Sequence, residues 1–181
     1  MGFSICFFAA KVPPEDMAKA FKLTISKVQT ELPMDYWWIS TVQKSGWTIL
    51  WAEDFDFGQA QELKAQALSE TTDVLLCEVD VNVGYSSSWY WSDGRFRWKV
   101  AYFQESDTID DLEIVGELPP QFESIRERLV ALQKDFGQGV DTAFSLPLSV
   151  GEAITAYVYD NYPGPGEMGE YLVVEPGASV H

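Results

Sequence analysis

Arg95, Arg97 and Lys99 recur at every second position of an otherwise aromatic stretch, Gly84 to Phe103, GYSSSWYWSDGRFRWKVAYF. Three positive side chains at a period of two share one face of an extended strand. Together they would focus a field on a small anionic group despite a net charge of −16 over the whole chain. The stretch also holds three of the seven tryptophans. Interleaved aromatic and basic residues are the pattern that stacks and neutralises single-stranded nucleic acid in basic proteins.

Ser92-Asp93-Gly94-Arg95 is the reversal that positions these residues. Asp-Gly tolerates the positive φ angles of a two-residue type I′ hairpin loop. Counting outward pairs Ser92 with Arg95, Trp91 with Phe96, Tyr90 with Arg97, Trp89 with Trp98, Ser88 with Lys99, Ser87 with Val100 and Tyr85 with Tyr102. Alternation then predicts one face of Trp89, Trp91, Phe96, Trp98, Val100, Tyr85 and Tyr102, the core face. The opposite face would carry Arg95, Arg97, Lys99, Tyr90, Ser86, Ser88 and Ser92. The candidate ligand- or partner-binding residues are Arg95, Arg97, Lys99 and Tyr90, with Trp91 at the outer end of the aromatic face.

Carboxylates are the second chemical resource. Asp107, Asp110, Asp111 and Glu113 crowd one loop and form a candidate acidic partner-binding surface. The loop lacks the ligand order and turn glycine of an EF-hand, so no metal is expected. Glu53-Asp54-Phe55-Asp56 is another cluster, and Glu78 and Asp80 share one side of a strand. A sugar hydrolase would need two such carboxylates within about 10 Å across a cleft.

Other chemistries are disfavoured. The only histidine is the final residue, His181, a poor position for a base or metal ligand. Neither a GxxxxGK[ST] loop nor a GxGxxG after a strand occurs. No catalytic residue, metal ligand or cofactor is assigned, and the balance leans away from an enzyme.

The charge bounds the partners. Lys and Arg number 12 against 28 Asp and Glu, for a sequence pI near 4.2. Neutralising phosphate requires Lys and Arg, so nucleic acid and anionic membrane are not expected partners. A basic protein is. Before Ala101 there are nine basic and thirteen acidic residues, and from Ala101 onward three and fifteen, so the second half is the more acidic.

Hydrophobic content of 46% argues for a folded chain. Cys6 and Cys77 lie in apolar runs without metal or CxxC spacing and read as buried free thiols of a reducing compartment. No run approaches the roughly 18 apolar residues of a membrane span. MGFSICFFAAKV lacks the positive segment of a signal peptide, and Cys6 replaces the Ser or Thr of a myristoylation signal. A cytoplasmic protein, monomeric or homodimeric, is the expectation.

The apolar run Phe3 to Ala10 predicts a central strand covered on both faces. Pro13-Pro14-Glu15-Asp16 opens a helix, whose stripe Met17, Phe21, Ile25, Val28 and Leu32 carries it to Leu32. A hairpin follows over Tyr36 to Gln43 and Gly46 to Glu53, with Trp47, Ile49 and Trp51 on one side. Gly58 to Glu70 reads as a helix, and Thr72 to Val81 as a strand with Leu75, Cys77, Val79 and Val81 on one side. After the aromatic hairpin come a short strand over Leu112 to Leu118 and a helix over Gln121 to Phe136, striped by Phe122, Ile125, Leu129, Leu132 and Phe136. Asp141 to Leu146 reads as an edge strand and Leu148 to Tyr159 as a helix. Beyond Tyr162-Pro163-Gly164-Pro165-Gly166, Tyr171 to Val174 reads as a strand that docks.

The fold class is α+β, a single mostly antiparallel sheet with helices on one face, its first six elements in the ferredoxin-like order β-α-β-β-α-β. Residues 1–160 form one domain, followed by an irregular tail over 161–181. Size and composition resemble those of small acidic bacterial inhibitors of toxin nucleases, a likeness carried by no motif. The leading expectation is a non-enzymatic, immunity-like protein that binds a basic partner. The alternative is an enzyme or small-molecule-binding domain with an anionic ligand over Arg95, Arg97 and Lys99. A third is a self-associating module with an exposed patch of Trp37 or Trp38 with Trp91.

Overall fold

The computed structural model describes residues 4–104, 109–136 and 141–177. A sheet of nine antiparallel strands carries the architecture: β1 (Ser4–Ala10), β2 (Leu23–Gln29), β3 (Trp37–Thr41), β4 (Thr48–Ala52), β5 (Val74–Asp80), β6 (Tyr85–Ser92), β7 (Arg95–Tyr102), β8 (Glu113–Gly116) and β9 (Tyr171–Pro176). Their spatial order is β2-β9-β3-β4-β1-β5-β6-β7-β8. The apolar run at the start forms the middle strand, covered on both faces as expected. Phe7 and Ala9 of β1 enter one buried cluster and Cys6, Phe8 and Ala10 the other.

Helices therefore pack on both sides of the sheet, where one covered face was expected. Met17, Ala18 and Phe21 of α1 (Pro14–Phe21), Phe57 of α2 (Phe55–Ala60) and Ala65 of α3 (Glu62–Leu68) close one side. The other is closed by Phe122, Ile125 and Leu129 of α4 (Phe122–Phe136) and by Leu146 and Val150 of α5 (Thr142–Thr155). Among the described residues no helix is long and apolar enough to cross a membrane.

Two departures from the sequence reading have clear causes. The first helix stops at Phe21 because Lys22 turns left-handed, at φ 56°, and its N–H closes onto the carbonyls of Ala18 and Lys19. Leu23–Gln29, read as a continuation of the helical stripe, is instead an edge strand whose only strand partner is β9. The ferredoxin-like order is consequently not found, since a strand intervenes between α1 and the β3–β4 hairpin. At the other place Asp141, read as the start of an edge strand, accepts the Phe144 N–H at 2.9 Å and caps α5. That helix starts about two turns earlier than the stripe beginning at Leu148 suggests, and Pro147 lies within it.

The single helix expected over Gly58 to Glu70 is two short ones that meet at Gln61. The hairpin of β3 and β4 and the sidedness of β5 agree with alternation. Trp47, Ile49 and Trp51 lie together on the α4–α5 side, as do Leu75 and Cys77, while Val74 and Leu76 face α1–α3. Tyr171–Pro176 docks, and does so between β2 and β3.

Candidate functional site

The β6–β7 hairpin begins as its sequence directs and then departs from it. Asp93 and Gly94 adopt φ 53° and 68°, and Ser92 pairs with Arg95 and Trp91 with Phe96. A β-bulge follows, after which Tyr90 pairs with Trp98, Trp89 with Lys99, Ser88 with Val100 and Ser86 with Tyr102. One extra residue in β7 flips every later side chain to the other face.

The predicted aromatic face is thus split. Trp91, Trp89 and Phe96 stay on the α1–α3 side, with Trp89 and Trp91 stacked at 6.1 Å between centroids. Trp98, Val100 and Tyr102 cross to the α4–α5 side, where Trp98 stacks on Tyr90 at 5.3 Å and an interplanar angle of 5°.

The three bases are separated with them. Lys99 lies on the α1–α3 side, its Nζ 4.5 Å from the Trp89 ring centroid and 3.1 Å from Glu113 Oε2. Arg97 donates from Nε to the Ser92 carbonyl at 3.2 Å and to Ser92 Oγ at 2.8 Å, and pairs with Asp93 at 2.5 Å. Arg95 is exposed near the turn. The shared cationic face expected of Arg95, Arg97 and Lys99 does not form. Trp91 is wholly buried, as its place on the core face implies, and does not form the outer contact also considered for it.

Arg97 and Tyr90 do line one cavity of about 620 Å³ between the hairpin, the segment after β8 and α5. Lys11, unremarked in the sequence, lines it too, its Nζ 5.5 Å from the centroid of Trp47. Burial, together with the Asp73 carboxylate, pushes the Tyr90 phenol upward. It is a poor proton source there.

Of the loop proposed as an acidic surface, Asp107 lies outside the described residues. Asp110 pairs with the Arg126 guanidinium and Glu113 with Lys99. Asp111 is exposed.

A different acidic concavity forms where the ends of β1, β4 and β5 meet α2. Glu53, Asp54, Asp56 and Asp80 line it with Ser4 and Phe55, uniting two carboxylate clusters that lie far apart in sequence. Asp54 accepts the Phe57 N–H at 3.3 Å and caps α2. Asp80 accepts the Ser4 hydroxyl at 3.1 Å and the Asn82 N–H at 2.9 Å.

Glu78 does not join this surface, although alternation puts it beside Asp80. It points inward beneath α2 and is fully buried. Its Oε2 accepts hydrogen bonds from Ser87 Oγ at 2.8 Å and Tyr85 Oη at 3.3 Å, and Trp89 Nε1 donates to Ser87 Oγ at 2.9 Å. Oε1 has no hydrogen-bond partner among the described residues. Burial raises the carboxyl above its ordinary value, against the opposing pull of Ser87 and Tyr85.

On the other face Ser86 and Ser88 donate to the carbonyls of Phe144 and Pro147 in α5, at 2.7 and 2.5 Å. Serines 86 to 88 are therefore structural hydroxyls. Cys6 and Cys77 are buried free thiols, as expected, and belong to opposite faces. No group of three or more metal-ligating side chains occurs among the described residues. Comparison with protein-family models, with curated proteins and with solved structures finds no match.

Proposed function

We propose that the chain is a non-enzymatic, immunity-like binding protein whose acidic surface engages a basic protein partner. The observation that supports this most is the distribution of charge. Arg97, Lys99 and Arg126 are each paired with an acid of the chain itself. The concavity of Glu53, Asp54, Asp56 and Asp80 carries four carboxylates and no base. The acid excess is presented outward, and three of the twelve bases are paired within the chain. Such a surface steers a basic partner, and its effect appears chiefly in the association rate and its salt dependence.

The test is affinity capture from the native lysate at low and high ionic strength, followed by association kinetics with the recovered protein. A basic partner with steeply salt-dependent association is expected, slowed about tenfold by Glu53→Lys with Asp56→Lys. Recovery of no partner at either ionic strength, or of one whose association ignores salt and both substitutions, overturns the reading.

A second reading is favoured by one observation, the convergence of Lys11, Arg97 and Tyr90 on one cavity. It is a small anionic ligand held there. Inorganic phosphate and simple carboxylates should then raise the melting temperature, and Arg97→Ala should abolish the shift. No shift with any anion removes the reading.

A further inference from the structure

The segments after β2 and after α5 close over the sheet at Trp38 and Trp51 and leave a cleft of about 250 Å³. Five aromatic side chains line it: the half-buried Trp51 and Tyr159, the exposed Tyr162, and the buried Trp38 and Tyr157. Trp38 and Trp51 are adjacent across β3 and β4 and stack at 6.1 Å with an interplanar angle of 4°. Tyr157 stands edge-on to Trp38 at 6.1 Å. The single charged lining residue is Asp160, which is exposed and has no Lys or Arg paired with it among the described residues. Burial pushes the Tyr157 and Tyr159 phenols upward, with Tyr171 and then Asp160 adding to it at Tyr157 and Asp160 at Tyr159.

Aromatic faces attract cations, and do so more strongly as the site is desolvated. A carboxylate at the edge of such a wall supplies the opposite charge. A neutral apolar occupant would desolvate Asp160 without compensation. The volume is below the ~300–1,000 Å³ of typical small-molecule sites and suits one long side chain.

We propose that this cleft receives a lysine or arginine side chain of a basic protein partner, its stem along Trp51 and its charged head between Asp160 and the rings of Tyr159 and Tyr162. The proposal rests on the reading of the chain as a binder of basic protein and names the anchoring point.

The experiment titrates the intact protein with N-acetyl-lysine-methylamide and its uncharged counterpart N-acetyl-norleucine-methylamide. The readout is the indole N–H resonances of Trp38 and Trp51, with the five other tryptophans as internal controls. The lysine compound should shift these two saturably and the norleucine compound should bind at least roughly fivefold more weakly. Asp160→Asn, at an exposed site, should weaken lysine binding by roughly fivefold and leave the control indoles in place. Trp51→Leu should weaken it further. Equal binding of norleucine, no saturable shift, or unaltered lysine binding by Asp160→Asn overturns the proposal.

A polylysine titration at low and high salt separates the cleft from the broader reading. Equal, salt-sensitive polylysine binding by wild type and by both variants leaves the acidic-surface reading standing and removes the cleft. Absence of polylysine binding by wild type counts against the acidic-surface reading itself, whatever the lysine amide does.

Discussion

The two faces of the sheet treat polar and aromatic groups in opposite ways. Under α1, α2 and α3 the face is closed over its centre, and the concavity at its rim is lined mainly by carboxylates. Trp91, Phe8, Phe21 and Met17 are fully buried there, and Glu78 sits among them with one oxygen satisfied and one unpartnered. Under α4 and α5 the face is closed only at its centre. Its margins open into the cleft of Trp38, Trp51 and Asp160 and the cavity of Tyr90, Arg97 and Lys11. The difference teaches that residue type alone does not mark a site. The carboxylate with the most perturbed surroundings, Glu78, is a buried structural group, whereas the exposed Asp160 stands at the rim of an aromatic cleft.

Truncating one tryptophan on each face tests this contrast most directly. Trp91→Ala should cost about 3–5 kcal/mol, the range for deleting a buried aromatic, and Trp51→Ala, at a half-buried position, about 1 kcal/mol. Chemical denaturation of both variants measures the pair. Equal losses would mean that the α4–α5 margin is as closed as the opposite face.

The close approach of helix to sheet comes next in size. A Cβ at Gly58 would lie 2.8 Å from Glu78 Oε1, 3.2 Å from Leu76 Cδ1 and 3.3 Å from Cys6 Cβ. At Gly151 it would lie 2.5 Å from Cys77 Sγ. Overpacking of this kind costs about 1–3 kcal/mol, so Gly58→Val and Gly151→Val should each lower the denaturation midpoint accordingly. A neutral result at Gly58 would show that α2 rides loosely over Glu78.

Glu78 also predicts a pH dependence. Its folded-state pKa is raised, chiefly by burial, so between the ordinary carboxylate value and the raised one the native state binds more protons than the unfolded chain. Stability then falls as pH rises through that interval. Denaturation midpoints of Glu78→Gln across the same pH series should lack this part of the slope. Identical slopes would mean that the carboxyl is not held above its ordinary value.

The smallest effect belongs to the ion pair of Lys99 and Glu113. Lys99 and Glu113 meet at 3.1 Å near the surface, and such pairs contribute about 0–1 kcal/mol. A double-mutant cycle with Lys99→Met and Glu113→Gln should return a coupling in that range and diminish with salt. A substantially larger coupling would mean that the pair is shielded from solvent on the α1–α3 side.

Several parts of this arrangement were legible from local chemistry. The continuous apolar run of β1 implies a strand covered on both sides, and Asp93-Gly94 implies its hairpin turn, because both follow from side chains within a few residues. The first part of the α4 stripe is legible for the same reason: Phe122, Ile125 and Leu129 are buried, whereas Leu132 is exposed and the Phe136 side chain lies outside the described residues. The candidate clefts were not. Lys11 comes to Arg97, and Trp38 and Trp51 to Asp160, only through the folding of distant segments onto one sheet. The acidic loop around Asp110 and Glu113 read as a surface because its partners, Arg126 and Lys99, lie on other elements.

What the amino-acid sequence determined by itself is the set of short-range choices: alternation within strands, the proline-led start of α1, the turn of the aromatic hairpin and a strongly acidic chain. Tertiary structure decided the rest. Leu23–Gln29 became a strand because β9 lies beside it, a pairing over more than a hundred residues that overrides the helical spacing of Ile25 and Val28. A single bulge in β7 reassigned Trp98, Lys99 and Val100 to new faces. Strand periodicity is local and exact only while pairing is uninterrupted, so one inserted residue decides which side chains meet a helix, which are buried, and which remain to bind.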